Sequence, residues 1–123
     1  GLLFTPAIPA HYALDVALDE LIEETVAGRI KRYGDAADFL RDGFKNLGLE
    51  FLIPEEWRSN CLTGLKLPKG LGYEKLHEEL KSNGFVIYAG QGNLSESIFR
   101  IANMGDIKQE EFQRFLKVLE TIC

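Results

Sequence analysis

Residues 84–105, GFVIYAGQGNLSESIFRIANMG, decide how this 123-residue chain is read. The apolar run Phe85–Tyr88 leads into a loop carrying Gly90 and Gly92, and a second apolar run, Ile98–Ala102, holds one arginine at its centre. Four to five apolar residues bounded by glycine and asparagine read as strands. In strand alternation Ile98, Arg100 and Ala102 share one face, and Phe99, Ile101 and Asn103 share the other. Arginine is rarely buried without a partner, and the run offers no acid of its own. Two readings stay open. Arg100 is either a fork that takes an anionic group in a pocket, or an edge-strand residue whose stem lies on the sheet and whose head lies in water.

Outward from that stretch, the chain alternates clearly between periods. Leu14, Ala17, Leu18, Leu21, Ile22 and Thr25 lie near one face of a helix entered through Thr5-Pro6-Ala7-Ile8-Pro9, with Thr5 as its cap, and Gly28 is expected to end or kink it. A second helix starts near Arg29, carries Ile30, Tyr33, Ala37, Leu40, Phe44 and Leu47 at steps of three and four, and stops at Gly48. Leu49, Phe51 and Ile53 alternate as a strand closed by Pro54, and Cys61–Leu67 alternate as another. Tyr73, Leu76, His77 and Leu80 mark a short helix ended by Gly84. After the Arg100 strand, Asp106 and Gln109 resemble a capping pair for a last helix with Phe112, Phe115, Leu116, Leu119 and Ile122 inside. The order ααββαββα predicts an α+β fold, a small, mostly antiparallel sheet with helices packed on one face, and residues 1–123 as a single domain.

Composition narrows the function classes. A net charge of −5 with interspersed signs argues against nucleic acid and anionic membranes as partners. No stretch reads as a membrane span or a signal peptide. Cys61 and Cys123 lack partners at metal or disulfide spacing, and His11 and His77 stand alone, so no metal site follows and reduced thiols in a cytoplasmic setting are expected. Gly90-Gln91-Gly92 fails the dinucleotide fingerprint because Ser95 replaces the third glycine and a strand follows, while Gly64 and Gly70 fail the phosphate-loop pattern. These glycines read as turn residues. No serine or histidine completes a nucleophile, base and orienter set.

The run Gly-Phe-Val-Ile-Tyr-x-Gly, followed by Phe-Arg-Ile-x-Asn-Met-Gly-Asp-Ile at the start of a helix, resembles the C-terminal small domain of class V, fold-type I pyridoxal-phosphate aminotransferases. Within that class the chain is most similar to the 2-aminoethylphosphonate:pyruvate aminotransferases. The opening Phe4-Thr5-Pro6 before a long helix carries the likeness across nearly the whole chain. It departs from the pattern at Ala89-Gly90-Gln91, where the family has proline and then Gly-Lys, and at Ala102, where the family has glycine.

The resemblance implies that the Schiff-base lysine and the other cofactor contacts belong to a larger domain, and that the complete enzyme moves an amino group between a small-molecule amine and a keto acid in a homodimer. It assigns the substrate carboxylate to Arg100 and the phosphate of pyridoxal phosphate in the neighbouring subunit to Thr5. The absence of an initiating methionine, Met104 being the sole methionine, accords with an excerpt of a larger enzyme. A stand-alone α+β small-ligand or regulatory module, a plain interaction domain, and a class V alanine- or serine:glyoxylate-type aminotransferase domain are the competing readings.

Overall fold

The structure, a computed structural model, describes residues 6–123. The chain forms two compact units, one ending at Arg32 and one running Tyr33–Cys123.

In the first unit, helix α1 (Ile8–Glu24) is followed after one residue by the opening turns of α2 (Val26–Asn46). Pro9 falls in the first turn of α1, where its missing donor costs nothing, and the N-cap position is Ala7; Thr5 lies outside the described residues. The expected break at Gly28 is instead at Thr25, and Gly28 is helical. Thr25 adopts φ 68° and ψ 153°, a region that suits glycine and strains a β-branched residue. Its surroundings hold it there. The Gly28 N–H donates to Thr25 Oγ1 at 3.1 Å, an N-cap bond for α2. The Glu24 carboxylate takes Arg29 Nε at 2.6 Å and Arg32 Nε at 2.5 Å. Those two guanidiniums hold the Glu24 carboxyl at about 2, well below the ordinary carboxylate range. No residue of α1 is buried, and the expected stripe is open, with Leu14 58% and Ile22 75% exposed.

In the second unit the remainder of α2 is followed by β1 (Leu62–Lys66), α3 (Tyr73–Ser82), β2 (Tyr88–Ala89), β3 (Ile98–Ala102) and α4 (Gln109–Ile122). The sheet is antiparallel throughout, in the order β1-β3-β2, so β3 is central. Leu65 pairs with Phe99 and Thr63 with Ile101, and this face is buried. Against it lie Leu40 and Phe44 of α2, Leu76 and Leu80 of α3, and Phe112, Phe115 and Leu119 of α4. The α+β architecture with helices on one face of an antiparallel sheet is therefore as expected.

Two expected strands shrink, each for a local reason. Around Phe51 the chain makes a single bridge to Leu65, with Leu52 N–H on Gly64 O and Lys66 N–H on Glu50 O; Pro54 then has no donor to continue the ladder, and a 3₁₀ turn, Glu55–Trp57, follows. The Phe85–Tyr88 strand starts only at Tyr88, because the Phe85 N–H turns back to Leu80 O while Gly84, at φ 86°, donates to Lys81 O. That is a Schellman closure of α3. The Asp106–Gln109 capping pair does not form. Lys108 occupies the N-cap position without a side-chain cap, and its Nζ pairs with the Asp106 carboxylate at 2.8 Å. Among the described residues no helix is long and apolar enough to cross a membrane.

Candidate functional site

Arg100 stands in the middle of the central strand, not at an edge, flanked in register by Gly64 on β1 and Tyr88 on β2. It is half-buried. Its face of the sheet is opposite the helices, so the apolar core does not bury the guanidinium. The Nε donates to Ala89 O at 2.8 Å. Among the described residues it has no carboxylate partner. A pinned Nε fixes the plane of the guanidinium, and the charge left without an acid favours an external anion that can accept from the fork.

On one side of Arg100 the sheet is hollow. Gly64 has no side chain to fill the place beside Arg100, and Leu52 is the nearest atom a Cβ there would meet, at 3.5 Å. The result is a cavity of about 230 Å³ lined by Arg100, Gly64, Ile98, Leu62, Trp57 and Arg58 among others. Its mouth is flanked by Trp57, which is 77% exposed. Arg58, the second guanidinium in this lining, is only partly used: its Nε donates to Ile53 O at 2.9 Å and its plane lies over the Phe51 ring at 3.9 Å, while its buried Nη1 has no hydrogen-bond partner and stands 4.0 Å from the Glu55 carboxylate. It braces the segment that forms one wall and has the Glu55 carboxylate beside it, whereas Arg100 has no carboxylate partner among the described residues.

On the other side, the loop after β2 is drawn tight. A Cβ on Gly90 would meet Leu94 O at 2.3 Å and Ile98 Cγ1 at 2.7 Å, so glycine is required there by a close backbone approach. The Gly90 N–H donates to Ile98 O at 3.1 Å, which extends the pairing that carries Ala89.

The sequence pattern located Arg100 but not its company. Gly64 lies mid-strand, inside the expected alternating run, but nothing in its spacing marks it as the neighbour of Arg100. Arg58 follows the tryptophan in a polar connection and gave no periodic signal; the sign available was an arginine three residues before the alternating run that starts at Cys61. Tyr88, 65% exposed, projects from the same face as Arg100. Thr5, the residue assigned to the cofactor phosphate, lies outside the described residues. Every lysine among them is exposed, and Lys66 is paired with Glu50 at 2.8 Å. A covalent pyridoxal-phosphate site needs an amine in a sheltered pocket, where its pKa falls, and the described residues do not supply one.

No family model matches the sequence. A 2-aminoethylphosphonate–pyruvate transaminase of Lysinibacillus sphaericus is 40% identical over 116 residues, which are 91% of this chain and 31% of that protein. An uncharacterized aminotransferase of Methanocaldococcus jannaschii is 35% identical over 118 residues, 95% of this chain and 31% of the relative. The chain thus spans about a third of the length of the curated relatives it matches. Among solved structures, an alanine–glyoxylate aminotransferase from Nostoc superposes with a TM-score of 0.91 at 23% identity, over 99% of this chain and 33% of that one. A ureidoglycine–glyoxylate aminotransferase from Bacillus subtilis gives 0.84 at 26% identity, over 90% and 29%.

Proposed function

Because this chain corresponds to the C-terminal part of a class V aminotransferase, we propose that residues 1–123 are the small domain that binds the substrate carboxylate in a 2-aminoethylphosphonate:pyruvate-type enzyme. The carrying observation is Arg100: a half-buried arginine on the central strand, held by Ala89 O at 2.8 Å and without an acidic partner among the described residues. Arg100 takes the carboxylate of pyruvate in its fork and so fixes the orientation of the keto carbon. The cavity beside it, apolar apart from the arginines and a few hydroxyls, suits a compact organic anion.

Pyridoxal phosphate, held by the larger domain of a homodimeric cytoplasmic enzyme, supplies the electron sink for the reaction. This chain orients the acid. The named sequence relatives favour the phosphonate reading over the glyoxylate one: identities of 34–40% accompany the 2-aminoethylphosphonate enzymes, whereas the 0.91 superposition on the alanine–glyoxylate enzyme at 23% identity speaks for fold alone.

The test is steady-state kinetics of the complete enzyme with Arg100→Lys, which keeps the charge and loses the planar fork. Pyruvate use should weaken by about 2 kcal/mol in kcat/KM, with thermal unfolding unchanged. Unaltered pyruvate kinetics would make Arg100 structural.

A further inference from the structure

The aim of Arg100 depends on a strand of only two residues, and something outside the sheet holds that strand. In the antiparallel ladder, Tyr88 faces Arg100 and Gly90 N–H reaches Ile98 O, so the Ile87 and Ala89 carbonyls point away from β3 along the open edge of β2. An exposed edge of this length has little to keep it in place. Two side chains use those outward carbonyls. Arg100 crosses the strand and donates its Nε to Ala89 O at 2.8 Å. Tyr73, in the first turn of α3, donates its hydroxyl to Ile87 O at 3.0 Å.

We propose that Tyr73 is a positioning residue for the substrate anion: its hydroxyl pins the open edge of β2, and β2 in turn holds the guanidinium of Arg100 in its binding orientation. The inference rests on the assignment of Arg100 to the carboxylate. Tyr73 is well placed for this role. Its ring is stacked on His77 at 5.6 Å, which limits its rotation, and its hydroxyl is partly buried. Burial pushes the phenol above its ordinary value, against the Ala89 backbone and the Arg100 charge; at neutral pH the hydroxyl is a donor with or without that shift. Ile87, whose carbonyl it holds, is buried at 3% exposure, and the pinned point is therefore anchored in the core as well. Tyr73 touches neither substrate nor cofactor in this scheme; it acts through two residues of backbone.

The experiment compares Tyr73→Phe, which removes one oxygen and retains the ring, with Arg100→Lys in the complete enzyme, recording KM for pyruvate, kcat and thermal unfolding for each. Tyr73→Phe is expected to raise KM for pyruvate about three- to tenfold, the range of one lost neutral hydrogen bond, with kcat within about twofold and the unfolding midpoint little changed. Amide exchange at Tyr88 and Ala89 should quicken at the same time. If Arg100→Lys weakens pyruvate use and Tyr73→Phe does not, the positioning role is overturned and the carboxylate assignment stands. If Arg100→Lys leaves pyruvate kinetics unaltered, the assignment falls and takes this inference with it. A Tyr73→Phe variant that loses stability and kcat together, with KM unchanged, shows a merely structural hydroxyl and overturns the proposal.

Discussion

Gly43 of α2 offers a test in which packing geometry fixes a change of sign. A Cβ at Gly43 would stand 2.4 Å from Leu116 Cδ1, 2.6 Å from Cδ2 and 3.0 Å from Cγ, so α2 and α4 approach too closely for alanine unless Leu116 moves. Two effects oppose each other in Gly43→Ala. Alanine in a helix interior is favoured over glycine by about 0.8–1.0 kcal/mol. Forcing a methyl into a filled site costs about 1–3 kcal/mol, and the clashing atoms here belong to a side chain that can turn, which places the cost in the middle of that range. Gly43→Ala alone should therefore destabilise by about 1 kcal/mol. In a Leu116→Ala background the clash is gone and only the helical gain survives, so the same substitution should stabilise by about 1 kcal/mol. Urea unfolding of the four-member cycle, with m-values checked for constancy, measures the coupling directly. A Gly43→Ala that stabilises equally in both backgrounds would refute the close approach of α2 and α4.

Three further outcomes follow from local geometry. Gly90→Ala should destabilise by about 2 kcal/mol or more, because the obstructing atoms include the Leu94 backbone, and on the proposed role of Arg100 it should also weaken pyruvate binding in the complete enzyme by moving Ala89; loss of stability with intact binding would separate the loop from the site. Thr25→Gly should stabilise the α1–α2 joint by about 1 kcal/mol, the relief of strain exceeding the lost cap and the added freedom of the unfolded chain, and slower amide exchange across the joint is the readout; faster exchange would contradict the strain. The Glu24 carboxyl is depressed from 4.5 to about 2, so its pairing supports the joint fully above about pH 4.5 and is lost as pH falls toward 2. Glu24→Gln should abolish that acid dependence in helicity, and parallel acid profiles for wild type and variant would remove Glu24 from the account.

What the sequence disclosed depended on whether a signal was carried by side chains. β3 was legible to its ends because five residues of uninterrupted strand character lie between polar turns. The closures at Gly48 and Gly84 were legible too, since a left-handed residue ending a helix is most often glycine, and both have positive φ. Thr25 was not: a β-branched residue carries no sign that it will take a glycine conformation, and the Glu24–Arg29–Arg32 cluster that holds it is formed only once two helices exist. The strand expected from Phe85 lost its first three residues to the closure of α3, a contest between two backbone bonding patterns that hydrophobic spacing cannot decide. Arg100 was identifiable as an anomaly, but its support comes from the Ala89 carbonyl. Backbone acceptors are present at every position and so announce nothing in a sequence.

The shortness of β2 also carries a thermal consequence. β2 is just Tyr88 and Ala89, with one further bond from the Gly90 N–H to Ile98 O, so this edge opens at a smaller free-energy cost than the buried core strand around Phe99. Each such excursion releases the acceptor of Arg100 while the rest of the unit stays folded. On the proposed assignment of Arg100 to the carboxylate, affinity should then decline on warming before the domain melts, and a bound carboxylate, by selecting the closed edge, should stabilise that edge by about 2.7 kcal/mol at a hundredfold excess over its dissociation constant. The proposed site would then lose its geometry at a temperature set by two residues of strand, below the melting point of the domain.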